Sequence, residues 1–402
     1  MKHIKFFENI TQYESYKNGS DFVLPNVSYV EELKGISFNP NVEPSSPNLV
    51  CVYDITNTSG KIQIMASYGG YAYTAMIVDG VEMDFDCYYQ FDTEGLHTVE
   101  FIFDEEYKTE LPSQGFDYVT QLVSITIPDS VTSISAPSIA ATANLKEFKG
   151  KYASKDCKCL IVDGELILSA RGGLKELTEY IIPNGVTTIG YDVFRGCNSL
   201  ESITIPDSVI SIGGSAFSNC SSLTSITIPN NVTKIGSYAF RECTNLISAI
   251  IGNSVETIEQ DAFWNCSNLT SIVIPDSVTS IGRNAFSDCY SITSVTIGNG
   301  VTSIGYNAFY NCRNLQEFNG KFASEDNKCL IIDGKLIGFA PVGLTSYIIP
   351  DGVTEIDAYV FSNLTLTSIT IPDSVTSIGN YAFWGCDNLT SVYCKATIPP
   401  RL

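Results

Sequence analysis

The sequence predicts a mainly β protein: a solenoid of 23-residue units with two inserted β-hairpins, preceded by a small β-sandwich-like module. Three observations predict it. A phrase typified by "SLTSITIPNNVTKIGSYAFREC" (Ser222 to Cys243) recurs at constant spacing. Two near-copies of another phrase, "LKEFKGKYASKDCKCLIVDGELIL" from Leu145 and "LQEFNGKFASEDNKCLIIDGKLIG" from Leu315, interrupt that array. Ahead of both, residues 49–103 alternate apolar and polar side chains, with turn dipeptides between the runs. The expected divisions are an anchoring segment and linker over 1–48, the sandwich-like module over 49–115, and the solenoid over 116–402.

The repeat comes first because a fixed period governs everything built on it. Leu200, Leu223, Leu246, Leu269, Ile292 and Leu315 mark five uninterrupted units of 23 residues. Within one unit, Leu223, Ile226 and Ile228 have the L-x-x-L-x-L spacing of a leucine-rich repeat. Pro229-Asn230-Asn231 turns the chain. Val232 and Ile235 open a second extended piece, Gly236 breaks it, and Phe240 and Cys243 point back inside. One unit buries too little to offset the entropy of ordering it, so neighbours must share faces and backbone hydrogen bonds. Leu122 begins a degenerate unit, and Leu366 and Leu389 begin the last ones.

Thirteen cysteines invite a disulfide reading. Cys197, Cys220, Cys243, Cys266, Cys289 and Cys312 instead recur once per unit, as a small core hydrophobe would. In the two inserted phrases, Asp163-Gly164 and Asp333-Gly334 lie between apolar runs and predict two-residue hairpins projecting from the solenoid.

The order Leu, Ile, Ile, Pro, Val, Ile, Phe, Cys, with the "GKFASED-KCLI-DG" modules, resembles the BspA-like, or Treponema pallidum type, leucine-rich repeat family. The resemblance spans about residues 116–402. It implies an adhesin or surface-binding role of the kind found in mucosal and gut microbes.

In the N-terminal part, "PNVEPSSPN" (Pro40–Asn48) reads as a linker, and Asp79-Gly80 and "YYQFDTEGLHTVEFIF" read as turns between strands. "FFENITQYESYKNGSDFVLPNVSYVEELKGISFNP" resembles leader segments on structural proteins of tailed phages of gut bacteria. That resemblance implies docking onto other virion or surface structural proteins through residues 1–115. The first residues contain no apolar run of secretory type, so a virion or extracellular-surface location without an N-terminal signal is expected.

Composition excludes several functions. The formal net charge is −21, with 6 Lys, no Arg and 18 Asp or Glu in residues 1–115. Such a surface repels phosphate backbones, so no nucleic-acid partner is expected. No apolar run approaches membrane-spanning length, so no membrane insertion is expected. The only histidines are His3 and His97, which leaves the repeats without a Ser-His-Asp, Cys-His or His-rich metal site. Cys157-x-Cys159 lacks a partner pair, and Asn327 replaces its first member in the second module. Asp84, Asp86 and Asp92 lack the spacing of a calcium loop. No enzyme, catalytic residue, metal or cofactor is expected.

Binding information should therefore lie at exposed positions that vary. On the strand face Thr204, Thr227, Thr296 and Thr370 share a column with Ile250 and Val273, beside Ser202, Ser225, Ser248, Ser271 and Ser294. Strand propensity explains these, with a glycan- or ice-binding hydroxyl strip as the alternative. A second set flanks Ala-Phe: Trp264, Trp384, Tyr310 and Arg241 follow the Phe, and Tyr238, Arg283, Tyr306 and Tyr381 precede the Ala. Tryptophan, tyrosine and arginine are the residues that dominate contact surfaces. These eight are the candidate ligand-binding residues, and the hairpin tips compete with them.

The leading expectation is a non-enzymatic binding protein that presents its repeat surface to a cell-surface glycan or protein, carried as a host-recognition component of a phage virion. A bacterial BspA-like adhesin for host matrix or mucin is one alternative. A purely structural spacer, self-associating as a homo-oligomer, is the other.

Overall fold

In the computed structural model the described residues are 46–66, 70–111, 115–116, 119–134, 144–175, 177–397 and 400–401. The anchoring-segment and leader expectations for residues 1–45 lie outside them.

The alternating stretch forms β1 (Leu49–Ile55), β2 (Ile62–Gln63), β3 (Tyr73–Val78), β4 (Val81–Asp84), β5 (Tyr88–Tyr89) and β6 (Gly95–Phe103). Two more short strands, β7 (Glu110–Leu111) and β9 (Ser133–Ile134), pair in parallel, and β8 (Leu122–Thr126) and β10 (Glu147–Lys149) belong to the first repeats. One six-stranded sheet runs β10-β8-β1-β6-β3-β4, with β2 and β5 paired beside it. Leu49, Cys51, Tyr53 and Ile55 alternate into the core, and the buried Tyr53 hydroxyl donates to the Ile64 carbonyl at 2.6 Å. β1 pairs antiparallel with β8, so this sheet crosses the expected boundary at residue 115. An antiparallel strand thus covers the first edge of the solenoid, an edge that would otherwise offer unpaired N–H and C=O groups.

Beyond it the chain winds in rungs. The strand following each Leu, such as Ser225–Thr227 or Ser248–Ile250, stacks in parallel into a seven-stranded sheet on one side. The shorter strands, such as Lys234–Ile235 and Thr257–Ile258, stack into an eight-stranded sheet on another. Phe194, Phe217, Phe240, Phe263, Phe286 and Phe309 form a continuous inner column, with adjacent centroids 5.1–5.6 Å apart and planes within 13°. That spacing follows the inter-strand distance of about 4.8 Å. Each ring adds about 0.5–1.5 kcal/mol beyond its burial.

The cysteine column has a specific partner. The Cys220, Cys243, Cys266, Cys289 and Cys312 thiols each donate to the carbonyl of a phenylalanine 26 residues earlier, at 3.1–3.4 Å. Burial pushes the Cys243 and Cys312 thiols up to about 12, which keeps these donors protonated. The side chain thus packs as a small hydrophobe and also satisfies a buried carbonyl.

The two inserted phrases form hairpins as expected. One comprises β11 (Cys159–Val162) and β12 (Glu165–Ser169), turning on Asp163 (φ 49°) and Gly164 (φ 81°). The other joins Cys329–Ile332 to Lys335–Phe339 through Asp333 (φ 50°) and Gly334 (φ 79°). They do not project. Each second strand enters the solenoid wall, pairing Leu166 with Ile189 and Leu336 with Ile356 in parallel. Leu160, Leu166, Leu330 and Leu336 are fully buried, so exposing these hairpins would strip the core of apolar area. Both parallel sheets restart at each hairpin, and the buried side chains fall into three groups divided there.

Candidate binding surface

The third side of each rung is a turn rather than a strand. In the rung containing Phe240, Tyr238 (φ 62°) and Glu242 (φ 59°) are left-handed, and Ala239 and Phe240 between them point inward. Asn, Asp or Gly occupies many equivalent positions, because these residues tolerate that backbone best. Tyr238, Phe240 and Glu242 donate backbone N–H bonds to Gln260, Ala262 and Trp264 of the next rung, at 2.7–2.9 Å. This ladder holds the side in strict register, so side chains 23 residues apart become neighbours.

Register sorts the candidates into columns. Tyr238 and Tyr381 occupy the left-handed position directly before Ala-Phe, whereas Arg283 and Tyr306 lie one residue earlier. The eight candidates therefore come from three columns, and they form separate groups. The Arg241 guanidinium lies 4.6 Å from the Trp264 ring centroid and 5.6 Å from that of Tyr238. It also pairs with Glu242 at 3.2 Å, and Gln260 donates to the Tyr238 hydroxyl at 3.0 Å. Arg283 covers Tyr306 at 4.4 Å. Tyr310 meets Tyr359 edge-on at 5.7 Å, and Tyr359 stacks on Tyr381 at 5.3 Å.

The two tryptophans are not equivalent. Trp384 is 54 % exposed, but Trp264 is half-buried beneath Arg241. Position after Phe does not by itself point a side chain outward: Ser218 and Ser287 in the same column are buried. Tyr359 was not among the sequence candidates because Val360 replaces the marker Ala. Its signal was the Phe361 that follows, which puts it in the column of Tyr238 and Tyr381.

The strand face is a broken strip. Ile181, Ile250 and Val273 stand exposed in the threonine column, at 71 %, 59 % and 61 %. Other threonine hydroxyls act within the wall. Thr224, Thr270 and Thr293 donate to carbonyls of the preceding rung at 3.1–3.2 Å.

His97 sits apart from the solenoid surface. Its Nδ1 is 2.6 Å from Asp79 Oδ2, and its Nε2 is 2.9 Å from the Thr93 carbonyl. The hydrogen bond to the Asp79 carboxylate raises its pKa, which favours the charged form of the ring. Asp86 bonds Lys61 at 3.0 Å. Among the described residues no group of three or more His, Cys, Asp or Glu is placed to hold a metal ion, and no helix is long and apolar enough to cross a membrane.

Parallel stacking of short strands, an inner phenylalanine column and a variable turn side define a leucine-rich repeat solenoid. A family model described as a BspA type leucine rich repeat region matches in 6 copies, over residues 88–156, 173–292, 256–327 and 338–399. The chain belongs to this family. It is similar to a leucine rich cell surface protein from Faecalibacterium prausnitzii, with 26% identity over 74% of this chain and 84% of that one and a TM-score of 0.42. It is also similar to a leucine-rich repeat protein from Bacteroides ovatus, with 26% identity over 76% and 84% of the two chains and a TM-score of 0.48. A T. pallidum leucine rich repeat protein shares 22% identity over 54% of this chain and 71% of that one, with a TM-score of 0.26. No curated protein matches the chain.

Proposed function

We propose that the protein is a non-enzymatic binding protein of the adhesion type, whose turn side meets a cell-surface glycan or protein. One observation carries the reading. On a scaffold of repeated core residues, the variable turn positions hold contacting aromatic and arginine side chains, with Arg241 between Tyr238 and Trp264 as the central group. Such groups supply most of the energy in protein contacts.

The test is binding of labelled protein to a panel of intact gut bacteria, mucin and matrix proteins, with Arg241→Ala and Trp384→Ala beside the parent. Selective binding that falls about tenfold in either variant supports the reading. Absence of binding to every surface, together with self-association, overturns it in favour of a structural spacer.

For the carrier, we favour a virion of a tailed phage of gut bacteria, supported by the resemblance of the N-terminal segment to phage leader segments. Residues 1–115 would then dock onto other virion proteins. Mass spectrometry should find the chain in purified virions. Its absence there, with presence on bacterial envelopes, would make it a bacterial adhesin for host matrix or mucin.

A further inference from the structure

The phenylalanine column breaks at the second hairpin. Phe309 meets Phe318 edge-on, at 5.6 Å and 76°, and parallel stacking resumes only between Phe361 and Phe383. The break leaves a notch of about 40 Å³ on the turn side, lined in part by Asn307, Tyr310, Asn311, Arg313, Pro341 and Tyr359. It has room for a few water-sized groups, not for a whole ligand.

Three features bear on this notch, the first of them shared with Asp192 Oδ1 beside the first hairpin. Asn307 Oδ1 is buried and has no hydrogen-bond partner among the described residues. A buried acceptor in that state costs about 1–3 kcal/mol, so its position requires a reason. The Tyr310, Tyr359 and Tyr381 rings continue outward from the notch, with Tyr381 60 % exposed. Their arrangement is held from behind, because Asn363 Nδ2 donates to the Tyr310 hydroxyl at 3.1 Å. At the rim, Arg313 Nε donates to Asn311 Oδ1 at 2.6 Å, fixing a cation and an amide side by side.

We propose that this junction is a subsite for a neutral sugar residue of a glycan, an inference that rests on the binding function above. Fixed aromatic plates suit the C–H face of a pyranose ring. The notch is the size of a hydroxymethyl or hydroxyl substituent, whose O–H would donate to Asn307 Oδ1. Arg313 supplies the donors a ring hydroxyl accepts from, since Asn311 Nδ2 is already engaged by Asp288 Oδ1 at 2.5 Å. A formal net charge of −21 disfavours acidic glycans.

An array of neutral hexose and N-acetylhexosamine oligosaccharides, printed beside sialylated and sulfated ones, tests the proposal. Two variants target the subsite. Tyr359→Asn removes a plate but keeps the left-handed backbone (φ 60°), since Asn284 and Asn307 hold the same column. Pro341→Arg fills the rim from the hairpin and leaves every tyrosine in place. Glu105→Gln, exposed in the N-terminal sheet module away from the turn side, is the control. We expect the parent to bind a subset of neutral glycans, each subsite variant to lose about tenfold, and the control to stay within about twofold. Neutral-glycan binding unchanged in both subsite variants overturns the proposal, as does binding confined to acidic glycans. Binding to cells with none to any arrayed glycan overturns it and leaves the binding function standing. Binding to neither cells nor glycans removes the binding function itself.

Discussion

At position 171 the first hairpin module carries an arginine; at 341, 170 residues on, the second carries a proline. The modules are otherwise close copies. Ser154 and Ser324 hydroxyls accept from the Cys159 and Cys329 amides, and Lys158 and Lys328 ammonium groups donate to the Lys146 and Gln316 carbonyls. Tyr180 and Tyr347 hydroxyls reach the Cys159 and Cys329 sulfurs, at 3.0 and 3.2 Å. The difference lies where each module meets the following rung. Arg171 donates to the Asp192 carbonyl at 2.5 Å and lies 3.9 Å from its carboxylate, which Arg195 also bonds. Tyr359 occupies the place of Asp192 in the second module, and Pro341 borders the notch. The shared positions build the wall. The unshared ones determine whether a junction is tied by charge or left as a recess.

Substitutions should separate the two junctions, and the largest effect concerns paired glycines. A Cβ on Gly173 would lie 2.1 Å from the Lys146 carbonyl oxygen, whereas one on Gly343 (φ 81°) meets nothing within 4 Å. Gly173→Ala should cost about 3 kcal/mol through a forced backbone shift. Gly343→Ala should cost only the about 1–2 kcal/mol of a left-handed alanine. Urea denaturation midpoints measure both, and equal losses would contradict the difference in packing.

Arg171→Ala comes next. It removes a charged donor from the Asp192 carbonyl and a neighbour from its partly buried carboxylate, at a cost of about 2 kcal/mol. Thermal unfolding should show the drop, and Pro341→Arg should move stability by no more than about 0.5 kcal/mol.

The Tyr347 hydroxyl donates to Asp326 Oδ2 at 3.0 Å. Burial pushes the Asp326 carboxyl up, but the Ser324 hydroxyl, the Lys328 amide and the Tyr347 hydroxyl together hold it below the usual carboxylate range. The stability this carboxylate contributes is complete above its unfolded pKa and is lost as pH falls through the folded value. Tyr347→Phe should cost about 1 kcal/mol at pH 7, discounted for the exposure of Asp326. It should also reduce the loss between pH 7 and pH 3, measured by denaturation at both.

The smallest effect is at Cys157 (φ 60°), where the second module has Asn327 (φ 60°). Cys157→Asn should stabilise by at most about 0.5 kcal/mol, since asparagine accepts the left-handed backbone more readily. A calorimetric midpoint below that of the parent would show that the thiol contributes something the second module lacks.

Much of the wall was legible because its determinants are local. Phe240 and Cys243 read as inward from their place in the unit, and both are fully buried. Asp163-Gly164 and Asp333-Gly334 read as hairpin turns because few dipeptides accept two left-handed residues in succession. The incorporation of those hairpins was not legible, since it depends on Leu166 and Leu336 finding Ile189 and Ile356 in the next rung. At the candidate site the residue types were visible, but their partners were not. Trp264 is half-buried because Arg241, one rung away, lies over it. Tyr359 was hidden by one substitution in the marker beside it.

The sequence by itself determined the period, the inward set and the turns, because each follows from residue type at fixed short spacing and every unit repeats the test. Tertiary structure decided the rest. It joined β1 to β8 across residue 115, placed Asn363 against Tyr310, 53 residues away, and left Asn307 Oδ1 without a partner beside the notch. These contacts form between segments distant in the chain, and only the stacking of rungs brings such segments within reach of one another.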